Sequence, residues 1–218
     1  MSNQESNYIK QIFDEISQLI NNSNKLEPGI TNCINIIEEC LKKDKKIILF
    51  GNGGSAADSQ HIAAEFVGRF NMERKSYPAI ALTTDSSIIT SIGNDYSFDQ
   101  IFSRQCESLV TKNDVVIGIS TSGNSINVKN GLITAKKNGA KTIGLLGNTG
   151  GEIKSIVDYP LIVESNSTAR IQEIHRIISH IICDLVEKKM GKKIGEKYFK
   201  KKKLFNHRGK RGNGKRKM

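Results

Sequence analysis

The sequence predicts an α/β fold in which a five-stranded parallel sheet is covered by helices on both faces. Five short apolar runs, rich in β-branched residues, alternate with segments of helical periodicity, the pattern of buried strands joined by helical crossovers. Glycine- and serine-rich turns follow three runs, where a parallel sheet places its ligand sites. The runs are Ile47–Phe50, Ala79–Leu82, Val115–Ile119, Thr142–Leu146 and Pro160–Val163, and the turns are Gly51–Ser55, Ser120–Ser125 and Gly147–Gly151.

Two amphipathic segments precede the first strand, and a third follows the last one. Apolar residues recur at helical spacing over residues 7–21 and 30–41, and Pro28 lies just before the second segment. We expect two helices joined by a polar turn, each burying its apolar face against the sheet or another subunit. After the fifth strand, the same periodicity predicts a long helix from about Ser167 to Met190.

The formal net charge of +11 is concentrated at the carboxyl-terminal end. Residues 188–218 contain 15 Lys and Arg and one acidic residue, whereas residues 1–187 carry a formal charge of −3. The basic segment has few apolar residues and cannot bury enough surface to fold alone. We expect one domain over 1–190, with a helical pair over 1–45, and a disordered basic tail over 191–218. Nucleic-acid contact by the tail is less favoured, because few aromatic rings are present to stack on bases.

The four cysteines show neither the spacing of a zinc knuckle nor that of a disulfide framework. They are Cys33, Cys40, Cys106 and Cys183. The polar amino terminus lacks the basic and apolar pattern of a secretory signal, and no apolar run is long enough to span a bilayer. We expect a cytoplasmic protein with reduced thiols and no membrane contact.

The loop after the first strand opens directly into a helical segment. Its Gly51-x-Gly53-x-x-Ala56 sequence formally matches a dinucleotide-binding motif. That motif also needs an acidic residue at the end of the second strand, and here Asp85 comes too late in the chain. The match is therefore weak, and a tight turn without a nucleotide is the better interpretation.

Hydroxyl groups crowd the loop after the third strand. Four of them lie within six residues, and the next helix is expected to begin near Asn124; they belong to Ser120, Thr121, Ser122 and Ser125. The free N–H groups at a helix start attract anions, and the loop contains no Lys or Arg. A simple N-cap needs only one hydroxyl. The cluster therefore favours a site for a phosphate monoester held by neutral donors.

Two helical segments carry polar pairs on one face. His61 and Glu65 are separated by about 40° around a helix, and Gln172 and His180 by about 80°. Each pair is suited to acid–base or metal chemistry, although a surface ion pair or a buried structural histidine is the common alternative. His175 lies about 140° from His180 and is expected to face elsewhere.

Four further side chains are candidates on weaker grounds. Arg69 follows the His61 helix and is assigned to a sugar oxygen or a neighbouring carboxylate. Asn94 and Asp95 have the composition of a turn, and bind substrate hydroxyls only if the fold brings them to the site. Glu173 is about 20° from His180 around the helix and remains an alternative to Gln172 as its polar neighbour on that face.

Taken together, the motifs resemble those of the phosphoheptose isomerases, which are sugar isomerase (SIS) domain enzymes. The resemblance covers nearly all of residues 1–190, with the motifs in the same order. They are Gly51-Asn52-Gly53-Gly54-Ser55-Ala56, His61-x-x-x-Glu65, Gly93-Asn94-Asp95, Ile119-Ser120-Thr121-Ser122-Gly123-Asn124-Ser125 and Arg170-Ile171-Gln172-Glu173-Ile174-His175-x-x-x-x-His180.

The resemblance implies a single SIS domain with a flavodoxin-like, three-layer arrangement. It implies conversion of D-sedoheptulose 7-phosphate to D-glycero-D-manno-heptose 7-phosphate through an enediol, the first step toward ADP- or GDP-heptose. The family also implies a cytoplasmic homotetramer whose active sites lie at subunit interfaces. The product would serve as a precursor of lipopolysaccharide or capsule.

The resemblance also implies a role for each matching residue. Contacts to the phosphorylated heptose fall to Asn52, Gly53, Gly54, Ser55, Asn94, Asp95, Ser120, Thr121, Ser122, Ser125 and Gln172. One zinc ion per subunit is implied among His61, Glu65, Gln172 and His180. Glu65 and His180 are implied as the catalytic pair, handling protons on opposite sides of the sugar.

Two features depart from the family pattern, and two alternatives remain. The basic tail runs past the family's usual end, and Ala169 stands where some relatives carry an acidic residue. One alternative is a related SIS protein that binds the replication initiator DnaA and lacks the catalytic pair. The other is a SIS module that senses a phosphosugar without converting it. The presence of Glu65 and His180 favours the enzyme.

Overall fold

The computed structural model describes residues 3–209 of the chain, and the side chains of residues 3–191. The strands in this range are β1 (Ile47–Gly51), β2 (Ala79–Ala81), β3 (Val115–Ser120), β4 (Lys141–Gly147) and β5 (Tyr159–Val163). The helices are α1 (Asn3–Ser23), α2 (Glu27–Lys42), α3 (Gly54–Val67), α4 (Ser86–Asp95), α5 (Ile101–Leu109), α6 (Ile126–Lys137) and α7 (Thr168–Gly209). The predicted α/β class and the five predicted strands are confirmed.

The five strands form one sheet in the order β2-β1-β3-β4-β5, and every neighbouring pair is parallel. The chain winds outward from β1 to β2 and then returns to the other side of β1 to form β3. Neighbouring loops therefore diverge at the carboxyl ends of β1 and β3, which opens a crevice there. The glycine-rich and hydroxyl-rich loops both lie at this edge.

The core is divided by the sheet into two apolar layers. In β1, Ile47 and Leu49 point to the layer formed with α2, α3 and α7, whereas Ile48 and Phe50 point to the layer formed with α5 and α6. This two-residue alternation is that of any strand, and both faces are apolar because both are covered. Phe50 stacks on Phe102 of α5 at 4.8 Å between ring centroids. The strands and helices that carry the site are thus anchored on both sides.

The first two helices differ in how they pack. Helix α2 buries Ile34 and Ile37 against the sheet, whereas α1 has no buried residue, and Tyr8 and Phe13 are 64% and 65% exposed. The expected packing against the sheet is therefore met by α2 alone. Within the described residues, no helix is both long and apolar enough to cross a membrane.

The cysteine side chains are all buried and carry free thiols. Burial raises the pKa of Cys33, Cys106 and Cys183 to about 12, and that of Cys40 to about 11. A thiol needs to lose its proton to act as a nucleophile. These four side chains are therefore packing residues that remain protonated at neutral pH.

The last helix extends beyond the predicted end of the domain. Helix α7 begins at Thr168, one residue from the predicted start, and continues to Gly209. The backbone of residues 191–209 continues α7, because lysine is a strong helix former and extending an existing helix avoids the cost of nucleation. The disordered basic tail predicted over 191–218 remains a prediction. Residues 210–218 lie outside the described part of the chain, and the domain boundary near residue 190 remains a prediction.

Candidate active site at the carboxyl edge of the sheet

The loop between β3 and α6 gathers three of its hydroxyl groups. The Ser120 hydroxyl lies 3.0 Å from that of Ser125 and 3.4 Å from that of Ser122. The backbone N–H of Gly123 donates to the Ser120 hydroxyl at 3.1 Å. Helix α6 begins one residue after Ser125, close to the predicted start, and the Ser125 side chain does not cap it. Hydroxyls and the N–H groups at the start of α6 therefore lie together in a loop whose own sequence contains no Lys or Arg, an arrangement suited to binding an anion. Thr121 lies within the same loop.

The loop between β1 and α3 is shaped by its glycines. Gly53 has a φ of +53°, which a residue with a side chain adopts only with strain. A Cβ on Gly51 would lie 2.8 Å from the Ile119 carbonyl oxygen, so this glycine lets the two loops approach each other. The side chains of Asn52 and Asn127 exchange two hydrogen bonds of 2.8 and 2.9 Å. This amide pair ties the first loop to α6.

The segment after β4, which includes the third glycine-rich turn, contacts the hydroxyl-rich loop through hydrogen bonds from its backbone N–H groups. The N–H of Ile153 donates to the Gly123 carbonyl at 3.0 Å, and that of Glu152 donates to the Asn124 side chain at 2.9 Å. A Cβ on Gly123 would lie 2.2 Å from the Gly150 carbonyl oxygen. The close approach of these two backbones therefore requires glycine and fixes the position of the loop.

Helices α3 and α7 bring two histidines into contact. The Nε2 atoms of His61 and His180 are 3.0 Å apart, and Glu65 Oε1 lies 3.5 Å from His61 Nε2. The ring of Phe70 lies 5.7 Å from that of His180. The His61 and Glu65 side chains are 42% and 23% exposed, so a substrate in the crevice has access to them. Two imidazoles and a carboxylate in this arrangement are able to accept and donate protons.

The same group of side chains suits a metal ion in its donor chemistry. Two ligands of a tetrahedral zinc ion with Zn–N distances of about 2 Å are separated by roughly 3.3 Å, close to the 3.0 Å between the His61 and His180 nitrogens. Glu65 supplies a carboxylate oxygen nearby. In the conformation described, however, no three His, Cys, Asp or Glu side chains among residues 3–191 surround a common point. The donors fit zinc, and a ligand set of three is not preformed.

The fourth predicted ligand, Gln172, has a different contact. Its Nε2 donates to Asp58 at 3.0 Å, and Arg176 donates to the other oxygen of Asp58. A Cβ on Gly54 would lie 2.3 Å from Gln172 Nε2, so this glycine makes room for the amide. Asp58, Arg176 and Asn127 were missed in the sequence analysis. The four-residue spacing of Gln172, Arg176 and His180 is the signal that points to Arg176.

The other two polar side chains considered on α7, His175 and Glu173, make contacts away from the histidine pair. The ring of His175 is buried, and its Nε2–H donates to the Leu146 carbonyl of β4 at 3.0 Å. Burial lowers the pKa of His175, so the ring remains neutral at pH 7. As expected, His175 faces away from His180. Glu173 forms an ion pair with Arg170 at 2.6 Å on its own helix.

Three predicted substrate contacts pair with neighbours in sequence. Arg69 pairs with Glu73 at 3.7 Å and is 60% exposed. Asn94 and Asp95 are exposed and hydrogen-bond to each other at 2.9 Å. They were predicted as a turn, and this was wrong, because they form the end of α4. Within residues 3–191, no hydrogen bond or ion pair joins these three side chains to His61 or His180. Their assignment to the substrate remains a prediction.

The comparison with known proteins agrees with this architecture. The family model for the SIS domain matches residues 7–147. The phosphoheptose isomerase of Citrifermentans bemidjiense is 56% identical over 166 residues, which cover 76% of this chain and 86% of that protein. That of Clostridium acetobutylicum is 50% identical over 189 residues, 86% of this chain and 96% of that protein. The solved phosphoheptose isomerase of Neisseria gonorrhoeae is 40% identical, with a TM-score of 0.80 over 84% of this chain and 98% of its own. The chain therefore belongs to the phosphoheptose isomerase family of SIS domain proteins.

Proposed function

We propose that this chain is an aldose–ketose isomerase that converts D-sedoheptulose 7-phosphate to D-glycero-D-manno-heptose 7-phosphate, the first step toward ADP- or GDP-heptose. The observation that carries the proposal is the contact between His61 and His180, with Glu65 beside them. His61 and Glu65 lie on α3, which begins at the crevice formed by the glycine-rich and hydroxyl-rich loops. His61 lies six residues after Ser55, about 9 Å along α3. An extended seven-carbon chain has a similar length, on the order of 8 Å.

The phosphate group is assigned to the hydroxyl-rich end of the crevice. Ser55, Ser120, Thr121, Ser122 and Ser125 supply donors there, and the amino-terminal ends of α3 and α6 favour negative charge. Asn52, Gly53 and Gly54 shape the pocket beside it. Because these donors are neutral, they hold the phosphate without competing for protons at the other end of the substrate.

The reaction moves one proton from C1 to C2 and a second from the C1 hydroxyl to the C2 oxygen. We assign Glu65 as the base that carries the carbon-bound proton, and His180 as the group that handles the oxygen-bound proton on the other side of the sugar. Proximity of both groups to one bound substrate is what allows the enediol to form and collapse in the same site. Arg69, Asn94, Asp95 and Gln172 are assigned to substrate oxygens.

A zinc ion is part of the proposal, with one ion per subunit. His61, Glu65 and His180 would hold it with Gln172, and their donor chemistry supports this assignment. When bound, the ion supplies a positive charge that polarises a carbonyl and stabilises negative charge on an oxygen. The protein's own contribution is to orient the sugar and to transfer protons.

A homotetramer with active sites at subunit interfaces accounts for the exposed apolar surface. Helix α1 has no buried residue, and Tyr8 and Phe13 project from it. A groove of about 290 Å³ lies between the first two helices and α7, lined mainly by apolar side chains such as Ile20, Ile177 and Leu185. Surfaces of this kind are typical of subunit interfaces. We further assign the protein to the cytoplasm, with no membrane partner.

The proposal is tested by incubating the purified full-length chain with D-sedoheptulose 7-phosphate and detecting the aldose by NMR. We expect conversion that stops with a chelator and returns with added zinc. Conversion that is insensitive to the chelator would contradict the zinc assignment alone. Substrate binding without conversion under any metal condition would contradict the enzyme and favour a phosphosugar sensor or an interaction module.

A further inference from the structure

Asp58 is a buried carboxylate between the two helices that carry the histidines. It is 3% exposed and lies on α3, one turn before His61. One of its oxygens accepts from Gln172 Nε2 at 3.0 Å, and the other accepts from Arg176 at 2.5 Å and 3.2 Å. Both oxygens of Asp58 are therefore engaged by side chains of α7.

The contact with Asp58 distinguishes the two ends of the Gln172 amide. Carboxylate oxygens only accept hydrogen bonds, and the Gln172 amide has a donor end, Nε2, and an acceptor end, Oε1. The donor end must therefore face Asp58. Gly54 confines the amide further, because a Cβ there would lie 2.3 Å from Nε2 and 2.6 Å from Oε1. The amide is held in one orientation at the first turn of α3.

We propose that Asp58, held in place by Arg176, is a positioning residue that presents the oxygen of Gln172 to the active site. This inference rests on the proposed function, in which Gln172 contacts the metal ion. Only the oxygen end of an amide serves as a metal ligand. Partners that orient a ligand typically change metal affinity about 10–100-fold when they are removed.

A purely structural role makes a different prediction. If Asp58 only joined α3 to α7, its loss would have the same effect whatever stands at position 172. If Asp58 orients an amide, its role ends once both ends of the side chain are oxygens. Gln172→Glu makes that change, and it also places a second carboxylate against Asp58, so that Asp58→Asn then removes a repulsion.

The test is a double-mutant cycle of Asp58→Asn and Gln172→Glu, read as zinc affinity by competition with a chromophoric chelator. With Gln172 present, we expect Asp58→Asn to weaken zinc binding about 10–100-fold. In the Gln172→Glu background, we expect the same change to leave affinity unchanged or to strengthen it. Asp114→Asn is the matched control, because Asp114 is also buried and ion-paired but lies at the opposite edge of the sheet. It should leave zinc affinity unchanged.

An equal loss in both backgrounds would overturn the inference, and so would a wild-type chain that binds no zinc. Neither result shows whether the chain catalyses the isomerisation, because that activity is measured separately with D-sedoheptulose 7-phosphate. A second measurement does not depend on zinc or on how well the variants fold. The ¹⁵N-labelled side-chain amide of Gln172 in the metal-free wild type should exchange slowly with solvent, because Nε2 is hydrogen-bonded to Asp58. A freely exchanging amide would contradict the proposed orientation.

Discussion

Glu65 is the residue on which the claim of catalysis depends. Its carboxylate lies 3.5 Å from His61 and its side chain is only 23% exposed, yet among residues 3–191 it takes no part in the buried ion pairs that stabilise the fold. Removing its charge should therefore affect the reaction more than the structure. This separation makes Glu65 a more informative position than His61 or Gln172.

We expect Glu65→Gln to reduce kcat by about 10²–10⁴-fold, the usual contribution of a positioned base. The midpoint of thermal unfolding should remain within a few degrees of the wild type. Glu107→Gln, which removes an exposed carboxylate paired with Arg104 on α5, is the control and should leave kcat unchanged. A Glu65→Gln enzyme with near-normal kcat would show that another group removes the proton.

Ser125 tests the phosphate end of the site. Its hydroxyl contacts Ser120 and does not cap α6, so its removal should not destabilise that helix. We expect Ser125→Ala to raise KM about 10–100-fold, because a hydrogen bond to a charged group contributes about 1.5–3 kcal/mol. The value of kcat should change less, since the phosphate is remote from the reacting carbons. Initial rates measure both, with Ser103→Ala on α5 as control, and an unchanged KM for Ser125→Ala would count against this phosphate site.

At the scale of elements, the loop after α3 is held by one buried carboxylate of α7. Glu187 is 1% exposed and accepts from the backbone N–H groups of Phe70, Asn71 and Met72 at 2.6–3.0 Å. It also accepts from Arg74 at 2.7 Å. The end of α3 and the middle of α7 are thereby fixed relative to each other.

Arg74 extends this connection to the catalytic turn of α3. Its guanidinium donates to the carbonyls of Glu65 at 2.7 Å and Phe66 at 2.9 Å, and it lies 4.0 Å above the centre of the Tyr77 ring. The last carbonyls of a helix lack partners within the helix. Arg74 therefore satisfies two of them and positions the turn that carries Glu65.

We expect Glu187→Gln to lower the free energy of unfolding by about 3–5 kcal/mol, because Arg74 would be left as a buried charge without its partner. Hydrogen exchange of residues 68–75 should become faster. Glu164→Gln breaks an exposed pair with Lys25 and is the control; it should cost less than about 1 kcal/mol. Equal effects of the two changes in urea unfolding would contradict the central role of Glu187.

The elements were predictable where one local pattern decides the structure. The charge-free run Ile47–Phe50 is a strand because it is buried on both faces. The end of α4 was not predictable, because Asn94 and Asp95 are turn formers. Their helix is set instead by the Asp85 cap on the Ile88 N–H and by packing of Ile92 on the core.

The site was predictable in its loops and in its helical pairs, but not in how the pairs meet. His61 and His180 are 119 residues apart in the chain, so only the fold brings them together. Asp58 and Arg176 were missed for the same reason, because their partners are not local. Local spacing identifies faces of helices, and long-range packing decides which faces meet.

At the scale of the whole molecule, stability depends on ionised carboxylates that accept several hydrogen bonds. Burial opposes the charge on Asp114, but hydrogen bonds from Lys46 and Thr111 outweigh it and lower its pKa. The pKa of Asp158 is likewise lowered by Lys136 and Thr142 against the effect of burial. Burial also opposes the charge on Glu187, but the hydrogen bonds that it accepts from backbone N–H groups lower its pKa.

These lowered pKa values predict a loss of stability in acid. The unfolded carboxylates bind protons first as the pH falls, so the stabilisation present above the unfolded pKa, about 4, is lost below it. Buried His175, whose pKa is also lowered, acts in the same direction below about pH 6.5. We expect urea unfolding to show a free energy that falls from pH 7 to pH 3.

Asp114→Asn tests this account of the pH dependence. The variant should be less stable than the wild type at pH 7, because the buried pair with Lys46 is broken. Its free energy of unfolding should depend less steeply on pH between about 5 and 3, because one shifted group has been removed. Parallel pH curves for the two proteins would mean that Asp114 does not contribute to the acid sensitivity.

The central claim is that Glu65 carries a carbon-bound proton of a seven-carbon ketose phosphate. It is tested most directly by following D-sedoheptulose 7-phosphate in deuterated water by NMR, with the wild-type chain and with Glu65→Gln. We predict that the wild type forms an aldose that carries deuterium at C2, and that Glu65→Gln slows both deuterium exchange and aldose formation by about 10²–10⁴-fold. Aldose without deuterium, or exchange at the wild-type rate in Glu65→Gln, would contradict the account.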